Sequence, residues 1–150
     1  MNDSKARLAI VEQQPEGYHL EGQIGFVLRK ASQRHISIFA RHILELTPPQ
    51  FAALAKLHEV GDTSQNQLGS LVAMDAATIK GVIDRLKARD LVLLTKHEED
   101  KRRLVVSLTE EGRRLIERLL PLAQDITDET NAPLTQREAE TLMRLLAKIT

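Results

Sequence analysis

The middle of the sequence concentrates side chains of the kind that bind nucleic acid. Between Ala76 and Arg103 there are eight Lys and Arg residues against five acids, a local charge of +3, although the whole chain has no formal net charge. Lysine and arginine bind phosphate oxygens, and arginine also pairs with guanine in the major groove. Three of these cations are consecutive at Lys101, Arg102 and Arg103, directly after three acids, which predicts a charged loop.

The remaining candidates for chemistry are five histidines, and their spacing does not indicate catalysis. They are His19, His35, His42, His58 and His97. None lies in an HExxH pattern, and the chain has no glycine-rich phosphate loop, nucleophile elbow or clustered pair of acids. Cysteine is absent, which excludes disulfides, thiolate zinc sites and sensing by thiol oxidation. We therefore expect a binding protein and not an enzyme.

The elements that must position the basic residues follow from periodicity and from capping residues. Apolar residues recur with a helical period over 20–46, and Thr47-Pro48 begins a second helix that stops near Gly61. Two short helices follow, capped by Ser64 and Asp75, and then the period changes to two β-type runs. These runs cover 91–96 and 103–108, and long helices begin after Thr109 and Thr135.

The two short helices form a helix-turn-helix unit, and the β runs form a charged hairpin directly after it. In the second helix Ile79, Val82, Ile83 and Leu86 make one buried stripe. The opposite side exposes Ala77, Thr78, Lys80, Gly81, Asp84 and Arg85. This side can contact the edges of bases in a major groove, and Asp84 would then pair with a neighbouring cation. Alternatively, it is an ordinary solvated helix face. The sequence predicts a mainly α-helical, winged helix-turn-helix protein.

Three segments resemble the MarR family (multiple antibiotic resistance regulators). They are Leu46 to Phe51, Ser64 to Gly69 and Val82 to Leu86. The hairpin is the most specific part, because Asp100-Lys101-Arg102 followed by Leu108-Thr109-Glu110-Glu111-Gly112 is similar to the wing motif of that family. One departure is Asp90, where the family usually has glycine, and Asp tolerates a left-handed backbone better than most residues. The resemblance covers roughly residues 20–150.

The resemblance implies a homodimer that binds a palindromic operator in double-stranded DNA. Residues 1–19 would be a flexible arm, 20–46 and 110–150 dimerisation helices, and 47–109 the DNA-binding lobe. Arg102 matches the wing arginine that enters the minor groove, and Asp100 matches the acid that stabilises the wing. The expected DNA contacts are Ser64, Gln65, Asn66, Ala77, Thr78, Lys80, Gly81, Arg85, Lys101, Arg102 and Arg103.

An effector site is expected near the first long helix, since family ligands bind between the dimerisation helices and the DNA-binding lobe. Its candidate residues are Arg34, His35, Phe39, His42 and Phe51. His35, Phe39 and His42 lie on one side of the helix, where imidazoles beside a ring suit a planar carboxylate. Alternatively, these are interface residues. The resemblance implies a small aromatic acid that releases a repressor from its operator, with no cofactor.

Two alternatives stay open at this stage. A metal-responsive regulator would use His and Glu ligands, and a winged-helix protein-interaction module would use the same fold without DNA. The second has little reason to place three cations at a hairpin tip. No apolar run approaches the length of a membrane span, and residues 1–9 lack the features of a signal peptide, so we expect a cytoplasmic protein.

Overall fold

The computed structural model describes residues 17–150 and confirms a mainly helical winged helix-turn-helix fold. Most of the predicted flexible arm, residues 1–16, lies outside the described residues. The elements are α1 (Ile24–His42), α2 (Pro48–Val60), β1 (Thr63–Ser64), α3 (Gln65–Leu71), α4 (Ala76–Ala88), β2 (Val92–Lys96), β3 (Leu104–Leu108), α5 (Glu110–Asn131) and α6 (Gln136–Leu146). Across the described range, no helix combines the length and apolar character that crossing a membrane requires.

The chain divides within α1 into two compact units, residues 1–33 and 34–150. The described part of the first unit contains a 3₁₀ turn at Leu20–Gly22 and the beginning of α1. There the Arg29 guanidinium carbon and the Lys30 ammonium nitrogen lie 5.7 and 5.5 Å from the centroid of the Phe26 ring. These distances allow a cation–π interaction with the ring.

In the second unit, α1 ends at His42, four residues before the end of the predicted periodic segment. Ile43 and Leu46 are nevertheless buried, so the apolar pattern continues after the backbone has left the helix. Pro48 disfavours helical backbone at the residue before it, which separates α1 from α2 at Thr47 but does not set the end of α1 at His42. Thr47 accordingly has an extended backbone and caps α2, accepting a hydrogen bond from the Gln50 amide.

The core of the second unit lies between α2, α3, α4, α5 and β3. Its side chains with essentially no solvent exposure include Leu54, Leu68, Ile83, Val106 and Ile116. Burying each of these contributes roughly 1.5–3 kcal/mol. The predicted stripe of α4 is buried in this core, which determines the side of α4 that faces solvent.

Three antiparallel strands form the sheet in the order β1-β3-β2. In the hairpin, Val92 pairs with Leu108 and Lys96 with Leu104. The additional strand β1 pairs through Thr63 and Ser64 with the other edge of β3. Periodicity did not predict β1, because two residues are too few to show alternation. Its pairing connects the start of α3 to the base of the wing.

The junction between α4, the wing and α5 is held by local hydrogen bonds and one close approach. Asp90 adopts the left-handed backbone anticipated at the family's glycine position, with φ of 56°. The Thr109 hydroxyl donates to the Asp90 carbonyl at 2.6 Å and accepts from the Gly112 amide at 3.0 Å. A Cβ atom on Gly112 would lie 2.0 Å from the Leu91 carbonyl oxygen. Glycine is therefore required at this turn of α5.

We predict that Gly112→Ala destabilises the protein, because backbone atoms of Leu91 would have to move to admit the methyl group. Overpacking of this kind costs roughly 1–3 kcal/mol. The matched control is Gly81→Ala in α4, where an added Cβ meets nothing within 4 Å. Urea unfolding at one fixed protein concentration measures both variants. Equal stability of Gly112→Ala and the unsubstituted protein would contradict the proposed close packing.

Candidate nucleic-acid interface and effector cavity

The solvent-facing side of α4 carries the residues predicted to read DNA. Ala77, Thr78, Lys80 and Arg85 are exposed, and Gly81 is half-buried with open space above its Cα. Small residues at positions 77 and 81 leave room for another molecule to approach the helix backbone. Arg85 has no hydrogen bond or ion pair within residues 17–150, so its guanidinium is available to a ligand.

Asp75 caps α4 and restrains Thr78. Its carboxylate accepts a hydrogen bond from the Thr78 amide at 2.7 Å. Interaction with the backbone and side chain of Thr78 holds the pKa of Asp75 below its ordinary value of 3.8. The Thr78 side chain is exposed, so its methyl group and its hydroxyl can contact bases.

Lys80 is the expected cationic partner of Asp84. The Lys80 ammonium lies 2.7 Å from an Asp84 carboxylate oxygen, one helical turn away. Both side chains are more than half exposed, so the pair contributes little to stability. It does limit the positive charge of α4, because Asp84 already neutralises Lys80. Of the two cations predicted to contact DNA from this helix, Arg85 has the freer charge.

The wing tip presents Lys101, Arg102 and Arg103 to solvent. Asp100 lies in the same turn, where its carboxylate accepts a hydrogen bond from the Arg102 amide at 3.1 Å and its carbonyl accepts from the Arg103 amide at 3.0 Å. No ion pair to any of the three cations is present in the described part of the chain. The Asp100 turn thus places three cations without ion-paired acids at the end of the hairpin, next to the acids Glu98 and Glu99.

Pairing of β1 with β3 brings the start of α3 next to the wing. Residues from both parts line a polar cleft of about 100 Å³: Ser64, Gln65, Asn66, Arg102, Arg103 and Leu104. Ser64 also caps α3, since its hydroxyl accepts from the Gln67 amide at 3.2 Å. Five predicted DNA contacts from separate regions of the sequence therefore share one surface.

A second cavity, of about 190 Å³, lies between α1, α2 and α5 within the second unit. It is lined by His35, Phe39, Pro48, Phe51, Ala123, Ile126 and Thr127. The rings of Phe39 and Phe51 pack edge to face, with centroids 5.9 Å apart. This volume suits a ligand smaller than typical drug-sized molecules. His35, Phe39 and Phe51 were all predicted to form an effector site.

Arg34 and His42, the other two effector candidates, do not line this cavity. The Arg34 guanidinium donates to the carbonyl oxygens of Glu129 and Thr130 at 3.1 and 2.8 Å. His42 contacts a Glu129 carboxylate oxygen at 2.6 Å, and Arg41 contacts the other. His35 belongs to both sites, since its Nδ1 atom lies 2.9 Å from the Thr130 hydroxyl. We call the contacts of these side chains with Glu129 and Thr130 the clasp.

Glu129 is the acidic centre of the clasp. The hydrogen bond from His42 holds the pKa of the Glu129 carboxyl below its ordinary value of 4.5; partial burial opposes this, and the Arg41 charge adds to it. The sequence analysis missed Glu129 and Thr130 because they lie on the polar side of α5, about 90 residues from their partners. Only the spacing of basic side chains on α1 hinted at an acidic partner.

Within residues 17–150, no group of three or more His, Cys, Asp or Glu side chains is arranged to hold a metal ion. Glu129 contacts a single histidine, and its second partner is an arginine, which does not bind metals. The clasp is accordingly a network of ion pairs and hydrogen bonds.

Comparisons with known proteins agree with this geometry. The MarR family model matches residues 46–104. The transcriptional repressor NicR of Pseudomonas putida is 39% identical over 134 residues, which span 88% of this chain and 85% of NicR. A probable transcriptional regulator from Pseudomonas aeruginosa has a similar crystal structure, with a TM-score of 0.85, 50% identity, and coverage of 88% of this chain and all of that one.

A third similar protein is BpsR of Bordetella bronchiseptica, whose DNA binding is regulated by 6-hydroxynicotinic acid. Its structure matches with a TM-score of 0.85 and 39% identity, over 89% of this chain and 96% of BpsR. The fold and the exposed cationic wing define a DNA-binding transcriptional regulator of the winged helix-turn-helix class, not an enzyme. The chain belongs to the MarR family.

The clasp predicts a specific acid dependence of stability. Because the folded state lowers the pKa of Glu129, its carboxylate stabilises the fold above about pH 4.5, and this contribution disappears as the pH falls through the lower folded-state value. Glu129→Gln should therefore be less stable than the unsubstituted protein at neutral pH. The difference should shrink in acid.

Urea unfolding at several pH values measures this effect. Asp125→Asn is the matched control, because Asp125 is an exposed acid of the same helix that makes none of the clasp contacts. This control should show no comparable loss at neutral pH. A stability difference for Glu129→Gln that stays constant from neutral to acidic pH would contradict the ionic role of Glu129.

Proposed function

We propose that this protein is a repressor that binds a palindromic operator as a homodimer and leaves it when a small aromatic acid binds. The observation that carries the proposal is that one unit of the chain combines an exposed surface, whose Arg85, Arg102 and Arg103 form no ion pair among the described residues, with a separate aromatic cavity. NicR is a repressor, and the DNA binding of BpsR responds to an aromatic acid, which supports the same arrangement here.

In this proposal α4 enters the major groove and the wing reaches the adjacent minor groove. The exposed side of α4 offers a threonine methyl group, an open glycine and a free arginine, which suit base edges and phosphates. The wing offers Arg102, and a minor groove favours arginine through its strong negative potential. Ser64, Gln65 and Asn66 face the cleft shared with the wing and would contact the intervening backbone.

A second copy of the chain is the proposed cover for apolar side chains that one copy leaves in water. No residue of helix α6 is buried, and its apolar side chains are in contact with water: Leu142, Leu145 and nearby Ile149 are 42%, 48% and 64% exposed. At the start of α1, Ile24 and Val27 are also exposed. Apolar stripes of this kind are typical of subunit interfaces. A homodimer would also match the two halves of a palindromic operator.

The proposed effector site is the cavity lined by His35, Phe39 and Phe51. The two phenyl rings provide an apolar wall for a flat ring, and half-buried His35 provides a polar group for its acid. Thr130 orients the His35 imidazole through Nδ1, which leaves Nε2 for a ligand. For the ligand to release the protein from DNA, it must bind more tightly to the conformation that does not fit the operator than to the conformation that does.

For the DNA surface, we expect Arg102→Ala to weaken binding to selected and scrambled duplexes alike. The logarithmic salt slope should fall by about one per subunit. Thr78→Ala should cost roughly 1–3 kcal/mol on the selected duplex and much less on the scrambled one. Fluorescence anisotropy at several salt concentrations measures both, with a duplex that the unsubstituted protein selects from a random library.

Lys56→Ala, which removes a charge from α2 outside both the DNA surface and the proposed subunit interface, is the matched control and should bind like the unsubstituted protein. The wing assignment fails if Arg102→Ala behaves like this control. The assignment of α4 fails if Thr78→Ala loses affinity equally for both duplexes.

For the effector, we expect calorimetry to detect binding of at least one of benzoate, hydroxybenzoates, nicotinate and 6-hydroxynicotinate. His35→Ala should weaken that binding about tenfold or more, the usual value of a hydrogen bond to a charged group. His42→Ala is the control, because His42 contacts Glu129 and does not line the cavity. Absence of binding by every compound, or equal effects of the two variants, would contradict the proposed site.

A further inference from the structure

His97 stands at the start of the wing turn, and its imidazole accepts two backbone hydrogen bonds. The Glu99 amide donates to His97 Nδ1 at 3.2 Å, and the Asp100 amide donates to the same atom at 3.3 Å. The backbone of His97 also closes the turn, since its amide donates to the Arg103 carbonyl at 2.9 Å. The side chain is half-buried at the base of the turn.

This geometry requires one protonation state of the imidazole. A ring nitrogen accepts hydrogen bonds only when it carries no proton, so His97 must be neutral with its proton on Nε2. In the imidazolium form both ring nitrogens are donors, and Nδ1 would face two N–H groups that it cannot bind. Protonation therefore removes at once both hydrogen bonds that His97 Nδ1 accepts.

The two caps of the wing are consecutive. His97 binds the Asp100 amide, and the Asp100 carboxylate binds the Arg102 amide. Loss of the first hydrogen bond leaves the amide of Asp100 without its partner, while its carbonyl still accepts from the Arg103 amide. The position of Arg102 therefore depends on the charge state of His97, although the two side chains do not touch in any hydrogen bond or ion pair of the described structure.

The charged groups around His97 have mixed signs and are exposed. They line the two clefts on either side of its ring and comprise Lys96, Glu98, Glu99, Arg103 and, from the turn after α2, Asp62. None forms a side-chain hydrogen bond or ion pair with the His97 ring within residues 17–150. Exposed charges are screened by salt, so they do not replace two direct hydrogen bonds.

We propose that neutral His97 is a positioning residue for the wing and that its protonation releases the turn that carries Arg102, which makes DNA binding weaker in mild acid. The proposal rests on the proposed contact of the wing with DNA. The direction of this pH effect distinguishes the proposal from a simple effect of charge. Added positive charge on a protein ordinarily strengthens binding to DNA, whereas release of the wing weakens it.

The test compares His97→Asn and His97→Ala with the unsubstituted protein. The Asn side-chain oxygen can accept from the amide two residues on, as in an Asx turn, and it does not titrate. Between about pH 8 and pH 5, the range in which histidine side chains can change charge, the unsubstituted protein should lose about three- to tenfold in affinity for its selected duplex, the effect of losing one or two hydrogen bonds. His97→Asn should not lose affinity, and His97→Ala should bind weakly at both values.

His58→Asn is the matched control, because His58 contacts Glu117 and lies outside the wing. This variant should keep the pH dependence of the unsubstituted protein. If His97→Asn and the unsubstituted protein show the same pH dependence, the link between His97 and DNA binding is wrong. If His58→Asn also removes the dependence, a general effect of histidine charge explains it and the proposal is overturned.

A measurement without DNA separates this inference from the proposed function. Nitrogen NMR of protein labelled at histidine should show His97 Nδ1 unprotonated and Nε2 protonated at about pH 8, where a free histidine is neutral. The amide signals of Glu99 and Asp100 should shift as His97 titrates, and they should not shift in His97→Asn. A protonated Nδ1 at the higher pH overturns the proposal. If the protein bound no duplex, the proposed function would be overturned instead. The NMR result alone would then decide whether the neutral His97 imidazole holds the wing turn.

Discussion

The close contact between Gly112 and the Leu91 carbonyl is the constraint on which the DNA-binding unit depends. Leu91 follows the last turn of α4 and precedes β2, and Gly112 lies in the first turn of α5. Thr109 adds hydrogen bonds on both sides of this contact. Because a methyl group at position 112 would overlap a backbone oxygen, the distance between α5 and the wing is fixed by backbone atoms. The orientation of α4 relative to the wing follows, and with it the spacing of the two proposed DNA contacts.

The clasp gives the opposite end of α5 a different kind of connection. Arg34, His35, Arg41 and His42 of α1 converge on Glu129 and Thr130, and the same two helices, together with α2, form the walls of the cavity. An anionic ligand near His35 would enter a region where Glu129 already pairs with Arg41 and contacts His42. Packed backbone contacts resist change, whereas exposed ion pairs exchange partners at low cost. Adjustment to a ligand is thus easier at the clasp than at the Gly112 junction.

Local patterns in the sequence were sufficient for most of the fold. The stripe from Ile79 to Leu86 and the caps at Asp75 and Thr109 depend on near neighbours, and the structure contains all of them. The left-handed backbone at Asp90 was expected from the glycine of the family at that position, and the structure contains it too. Features that join distant segments had no such signal. The two-residue strand β1 has no period, and the contact of His42 with Glu129 spans 87 positions. The hydrogen bonds of the His97 side chain could not be predicted either, because they depend on the fold of the turn between β2 and β3.

A chain with no net formal charge can present a cationic surface because its acids and bases are paired unevenly. On the body of the protein, Glu129 neutralises Arg41, and Glu45 receives a hydrogen bond from Arg118 that lowers the pKa of its carboxyl. At the proposed DNA surface, Asp84 engages Lys80, but Arg85 and Arg102 stay without an acidic partner among the described residues. These unpaired groups determine the electrostatic field close to the protein surface, because salt screens charges that are farther away. The distribution of ion pairs, more than the total charge, therefore determines where this protein attracts a phosphate backbone.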